Sequence, residues 1–158
     1  MVNFVDTCIL TNLLDIPGFN EKHNEVLREY NERISRKEIF ILPIATIIET
    51  GNHIAHAGHN KYKIATTFKE LIVNAIQGEN GFAISPEITL EQIKSIMNYF
   101  PEKVTRENCG LGDLSIINQF DQYWKEKQPI GKMRIWSLDQ HLANIPVREG
   151  GLKRRKDQ

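Results

Sequence analysis

Val2-Asn3-Phe4-Val5-Asp6-Thr7-Cys8-Ile9-Leu10-Thr11-Asn12-Leu13-Leu14 changes its hydrophobic period halfway along. Val2 to Val5 is a short apolar run suited to a strand. From Thr7 onward Ile9, Leu10, Leu13 and Leu14 fall on one helical face. The change comes at Asp6, so the segment predicts a strand that feeds directly into a helix, with an acid at the junction. The pattern recurs downstream. Ile39-Phe40-Ile41-Leu42 is a continuous apolar run of the kind covered on both faces, Pro43 stops it, and helical spacing follows from Ile44 to about Ala57. Two strand-then-helix units in succession favour right-handed crossovers between parallel strands.

The remaining segments extend that pattern. Asn20 is placed to cap a helix reaching about Ser35, with Val26, Leu27, Tyr30 and Ile34 as its apolar stripe. Gly58 is a C-cap candidate for the helix before it, and Lys61 to Gln77 reads as a further amphipathic helix. Phe82-Ala83-Ile84 is a strand candidate. Thr89 and Gln92 have capping-box spacing ahead of a helix expected to end at Pro101, and Gly110-Leu111-Gly112-Asp113 opens another toward Lys127. Met133 to Trp136 forms a strand, followed by Ser-Leu-Asp and a short helix from about Gln140 to Ala143. The fold class expected is α/β, a three-layer α/β/α sandwich around a mostly parallel sheet. Residues 1–147 form the domain, and 148–158 a polar basic tail whose Lys153-Arg154-Arg155-Lys156 run reads as a solvated end.

Composition bounds the function. The chain has 158 residues, 41% of them hydrophobic and 25% charged, which suits one domain with a packed core. Lys plus Arg and Asp plus Glu are 20 each, so there is no global basic field, and any nucleic-acid site must be local. Two cysteines make no disulfide framework. The start has no basic region ahead of its apolar stretch, and no run reaches membrane-span length, so a cytoplasmic protein without membrane association is expected.

In an open parallel sheet, ligands sit beyond the carboxyl ends of the strands, so acids immediately after strands matter most. Asp6 and Asp139 both follow strands, Asp113 opens a helix behind two glycines, and Glu49 lies about two turns into the helix after the second strand. Taken singly, Asp113 and Asp139 are ordinary helix caps and Glu49 an ordinary solvent-facing acid. Asp6, wedged between Phe4-Val5 and Ile9-Leu10, is costly to bury unless hydrogen bonds or a cation compensate it.

The order and spacing of Val5-Asp6-Thr7, Ile47-Ile48-Glu49, Gly110-Leu111-Gly112-Asp113-Leu114-Ser115-Ile116-Ile117 and Trp136-Ser137-Leu138-Asp139 resemble the PIN-domain nucleases, especially small ribonuclease toxins of the VapC type. The resemblance spans nearly the whole chain. It implies an acidic pocket holding Mg²⁺ or Mn²⁺ and hydrolysis of RNA phosphodiesters to 5′-phosphate and 3′-hydroxyl ends. Asp6, Glu49, Asp113 and Asp139 are then the catalytic and metal-binding acids, with Thr7 and Ser137 as supporting hydroxyls. It further implies a homodimer and restraint by an antitoxin protein, through a basic side chain entering the pocket. Two departures stand out: Cys8 replaces the Asn or Ser that commonly follows the Asp-Thr pair, and Ile116 and Ile117 occupy the place of a second acid one turn after Asp113. The chemistry is coherent without the family, since hard cations prefer carboxylate oxygens and activate water while neutralising phosphate charge.

Other readings compete. An aspartyl phosphatase of the haloacid dehalogenase type needs acid and hydroxyl residues where Cys8 and Leu10 stand, a receiver domain needs paired acids before the first Asp, and no phosphate-binding loop is present. A PIN-like module that binds RNA or acts as a scaffold without useful catalysis remains an alternative, as does a PIN nuclease of RNA processing or defence without a cognate antitoxin. His53, His56 and His59 suggest zinc, but steps of three residues turn by roughly 300° on a helix and do not converge. An RNA-facing role for one of the three stays open. Cys8 and Cys109 flank two of the acids, which raises a redox clamp against the simpler reading of inert thiols.

Overall fold

The computed structural model describes residues 1–85 and 88–151. Strand β1 (Val2–Val5) runs into α1 (Thr7–Leu13), then α2 (His23–Ser35), β2 (Ile39–Leu42), α3 (Ile44–His56), α4 (Lys61–Gln77) and β3 (Phe82–Ile84). Helices α5 (Leu90–Glu107) and α6 (Leu111–Lys127) precede β4 (Gly131–Trp136), α7 (Gln140–Ala143) and β5 (Arg148–Gly150). The sheet order is β3-β2-β1-β4-β5. All neighbouring pairs are parallel except β4 with β5.

Alternation along the strands builds two cores. Val5, Phe40, Leu42, Phe82 and Trp136 face Ile9 and Leu10 of α1, Val26 of α2 and Ala75 of α4. Val2, Phe4, Ile41, Met133 and Ile135 face Ile116 and Phe120 of α6 and Leu142 of α7. Helices therefore cover both faces of a mostly parallel sheet, as strands buried on two sides require.

Several local expectations are corrected. Asn20 does not cap α2; Lys22 holds that position, and the Asn20 amide donates to Asp15 Oδ1 at 2.6 Å. The stripe of α2 is Val26, half-buried Tyr30 and fully buried Arg33, whereas Leu27 and Ile34 are exposed. Gly58 is not the cap of α3, which ends at Ala57 in extended backbone. Helix α5 passes through Pro101 and ends at Asn108 in the left-handed region. Proline removes only the bond to the Met97 carbonyl, and on a helix largely open to solvent water can take that acceptor. Arg148–Gly150, expected to belong to the tail, pairs with β4 as the antiparallel edge. The Lys153–Lys156 basic run lies outside the described residues. No helix among the described residues is long and apolar enough to cross a membrane.

Candidate active site

Strand β1 has β2 on one side and β4 on the other, so the direction of chain progression reverses between β1 and β4. Such a switch point opens a crevice at the carboxyl ends of the two strands. Asp6 leaves β1 there, and Ser137-Leu138-Asp139 leaves β4 beside it, with the Asp6 N–H donating to the Trp136 carbonyl at 3.0 Å. Helix α3 brings Glu49 and the start of α6 brings Asp113 to the same place. All four acids line one open cleft of about 520 Å³, together with Thr7, Cys8, Asn12, Phe19, Lys22 and His53.

Each acid is held differently. Asp6 is buried; its Oδ1 accepts the Thr7 N–H at 2.6 Å, and its Oδ2 accepts the Ser137 hydroxyl at 2.6 Å and the Cys8 thiol at 2.9 Å. Neutral donors rather than a counter-charge therefore surround it. Glu49 Oε2 accepts the Thr7 hydroxyl at 2.7 Å, which ties α3 to the start of α1. Asp139 caps α7 by accepting the His141 N–H at 2.7 Å, and its own N–H donates to Ser137 Oγ at 2.9 Å. Thr7 and Ser137 thus each orient a carboxylate. Asp113 is the least committed, with one long bond from the Gly110 N–H at 3.4 Å.

Partial burial raises the Asp113 carboxyl above its ordinary value, and the negative charges of Asp6, Asp139 and Glu49 push the same way, against the Gly110 N–H. The acids therefore act on one another electrostatically across the cleft. Among the described residues, however, no three His, Cys, Asp or Glu side chains stand close enough to form a ready metal cage. Gly112 explains how α6 comes so near Glu49: a Cβ there would lie 2.7 Å from Glu49 Oε1.

The remaining candidates separate. Cys8 is a protonated donor, its thiol pushed up to about 12 by burial and then by Asp6, and it accepts the Leu138 N–H at 3.2 Å. Cys109 packs with Ile96 and Leu114 between α5 and α6, and both thiols are free, so no clamp is formed. Of the histidines, only His53 enters the cleft. His56 is exposed and bonds the Asn52 carbonyl, while His59 lines a neighbouring cavity with Lys63. Phe19 is a cleft residue that sequence reasoning missed: an aromatic after Pro17-Gly18 carries no local mark that separates it from a packing residue. Nor does spacing alone single out His53 from the other two histidines.

A second cavity, about 440 Å³, lies between α5 and α6. Its Glu91 and Glu126 stand among amides and hydroxyls rather than at strand ends, and Gln122 donates to Glu126. The cleft at the switch point is the better site because it joins four chain segments at the place where an open sheet gathers ligands. Compared with known proteins, the chain matches no family model, no curated protein and no solved structure, so the chemistry of the cleft has to be read from its own residues.

Proposed function

We propose that this protein is a divalent-metal-dependent endoribonuclease of the PIN type, hydrolysing RNA phosphodiesters in the cleft between β1 and β4. The observation that carries the reading is the meeting of Asp6, Glu49, Asp113 and Asp139, from four separate segments, around an open cleft in which the Asp113 carboxyl is raised by burial and by the other three. Carboxylates left uncompensated repel a phosphodiester, so acids in this arrangement serve substrate through a cation. The donor set fits Mg²⁺ or Mn²⁺: the four acids offer hard oxygens, the thiol in the cleft is protonated, and the cleft's histidine packs against an aromatic ring. Asp6, Glu49, Asp113 and Asp139 would hold the ion. When bound, such a cation activates water and neutralises charge on a phosphate oxygen. The chain's own part is orientation: Thr7 fixes Glu49, Ser137 fixes Asp6 and the Asp139 backbone, and Cys8 donates to Asp6 without competing as a base.

The test is incubation of the full chain with single-stranded RNA in Mg²⁺ or Mn²⁺. Cleavage should require the ion and leave 5′-phosphate and 3′-hydroxyl ends. Undiminished cleavage in excess chelator sinks the metal mechanism, and 2′,3′-cyclic phosphate ends point instead to attack by the ribose hydroxyl. One observation favours a second reading, a PIN-like module that binds RNA without cutting it: the acids are not already gathered into a cage. Absence of cleavage with either ion, alongside retained RNA binding, would establish that alternative.

Gly112 separates activity from stability. Gly112→Ala should change the melting temperature little, because the helix preference of Ala over Gly, about 1 kcal/mol at most and less in a first turn, offsets loss of the Thr7–Glu49 bond, and the crowded atom is the end of a flexible side chain. It should displace Glu49 from Thr7 and lower cleavage by roughly tenfold or more, each tenfold being about 1.4 kcal/mol of barrier. Parental cleavage rates in Gly112→Ala would remove Glu49 from the machinery.

A role as the toxin of a toxin–antitoxin pair, with a homodimer and an inhibitory antitoxin, completes the proposal. What supports association is exposed apolar surface on the second helical unit, where Ile48 of α3 is 59% exposed and Val73 and Ile76 of α4 are 42% and 70% exposed. Light scattering at micromolar concentration should give a dimer; a monomer defeats that part. An inhibitor entering the cleft should do so with an Arg, whose fork suits carboxylates, and its effect should weaken as Mg²⁺ rises.

A further inference from the structure

Phe19 is an exposed aromatic in a cleft otherwise dominated by acids and polar groups, and its loop is pinned on every side. Ile16 is fully buried, Gly18 turns the chain with φ +86°, and the Phe19 N–H donates to the Ile16 carbonyl at 2.9 Å. Asn12 Oδ1 accepts the Lys22 N–H at 2.8 Å, and His23 Nδ1 meets the Asn12 carbonyl at 2.7 Å. These two bonds fasten the loop to α1 after Phe19, and the Ile16 N–H, donating to the Thr11 carbonyl at 3.0 Å, fastens it before. Behind it stands His53, ring centroids 4.0 Å apart and planes tilted by 35°. His53 lies one helical turn beyond Glu49 on α3, so the two rings form an aromatic wall beside the acids. Phe19 nonetheless stays 39% exposed.

A chain without net charge, with five acidic residues (Glu21 beside Asp6, Glu49, Asp113 and Asp139) lining the cleft it presents to a polyanion, gains little affinity from long-range attraction. Among the described residues Lys22 is the one cation in the lining, so an uncharged contact has room to add affinity beside it and a bound metal ion, and a base has a π-face whatever its sequence. We infer that the Phe19–His53 wall is a stacking platform for one unpaired base of a single-stranded RNA, next to the phosphate presented to the acids. The inference rests on the reading of the cleft as an RNA site. It adds a strand requirement: a base inside a duplex keeps both faces covered by its neighbours and has none to offer Phe19.

Binding with turnover suppressed tests it, using the full chain carrying Asp113→Asn, in Mg²⁺, with a short single-stranded oligoribonucleotide containing 2-aminopurine and the same strand annealed to its complement. Phe19→Leu keeps apolar bulk under the loop and removes the π-face, and circular dichroism with a thermal melt checks that it folds like its parent. Single-strand binding should weaken by about tenfold or more in Phe19→Leu and return in Phe19→Tyr, with 2-aminopurine emission quenched only where the ring is present. Duplex binding should be weaker throughout and indifferent to the substitution. Equal affinity of Phe19→Leu and its parent for the single strand overturns the inference, as does equal loss for single strand and duplex, or no RNA binding at all. Because no hydrolysis is read, failure of the nuclease proposal appears separately, as absent cleavage by the unmodified protein beside intact, ring-dependent binding.

Discussion

Asp113→Asn protein is expected to lose RNA cleavage by about 10²–10³-fold or more in Mg²⁺, on the several kcal/mol that a metal-held charge contributes, while melting no lower than its parent in chelator. Asp113 makes a single long bond, which the amide oxygen of Asn can keep, and ionised it meets Asp6, Asp139 and Glu49. Removing its charge relieves repulsion and breaks no hydrogen bond, which offsets the roughly 0.3–1 kcal/mol that a negative charge in the first turn of α6 contributes. The pH dependence has a definite sign. The folded carboxyl is raised above its ordinary 3.8, so the folded chain holds this proton to higher pH than the unfolded chain does. The resulting penalty is absent below the unfolded value, grows as pH rises toward the folded one, and persists above it. Metal-free parent protein should therefore lose stability across that window relative to Asp113→Asn, and Mg²⁺ or Mn²⁺ should restore it. Thermal melts in chelator over a pH series, paired with cleavage rates, check both halves. Parental cleavage by Asp113→Asn removes the acid from the chemistry, and a markedly lower melting temperature makes it a structural cap.

Asp6 is the poorer choice for this separation. An acid so close to the first strand invites the expectation that Asp6→Asn silences activity with the fold intact, but Asp6 is buried and accepts from a hydroxyl, a thiol and a backbone N–H. An amide turns an NH₂ group toward at least one of those donors, at a cost of about 1–3 kcal/mol for the polar group left unsatisfied.

The topology of the cleft is legible in the chain because it depends on the order of short, adjacent segments. An apolar run, an acid and a helix in immediate succession put Asp6 and Asp139 at strand ends, and the period change is local information. How close the carboxylates come to one another is not local: it depends on Gly112 letting α6 approach Glu49, a contact between residues far apart in sequence. The departures at Pro101 and Gly58 have the same origin. Intrinsic preference makes both of them helix ends, whereas solvent on one side of α5 and extended backbone at Ala57 decide the outcome. Ile34 and Arg33 exchange places because hydrophobicity, taken one residue at a time, cannot anticipate a cation received by Asn3, Glu29, Glu38 and the Trp136 ring. Phe19 is invisible for the converse reason, since an aromatic after a turn is ordinarily a packing residue, and only its exposure inside an acidic cleft marks it.

Arg33→Met is expected to destabilise the fold by about 3 kcal/mol, at the low end of what breaking a buried charged pair costs. Arg33 is 1% exposed, on the inner face of α2. Its Nη1 donates to Asn3 Oδ1 at 3.0 Å and lies 3.6 Å from Glu38 Oε2, its Nη2 pairs with Glu29, and its guanidinium sits 4.4 Å from the Trp136 ring centroid. Asn3 also accepts from Arg134 at 2.9 Å, and Trp136 donates to Glu29 at 2.9 Å, so β1, β4 and α2 share one polar network inside the sheet layer. Met fills much of the space and satisfies none of these acceptors. The loss stays near the low end because Glu29 is half open to water and Glu38 keeps Arg36 at 3.2 Å and Asn3 at 2.9 Å. For a chain of this size the melting temperature should fall by about 6–12 °C. If the penalty is the stranded charge, Arg33→Met with Glu38→Gln should cost less than the two single changes summed; if it is lost packing on Trp136, the two should simply add. Urea melts of the four proteins distinguish these outcomes, and a loss under about 1 kcal/mol in Arg33→Met would show the network to be dispensable. Trp136 joins this network to the cleft, since its carbonyl accepts the Asp6 N–H and the next residue, Ser137, orients the Asp6 carboxylate.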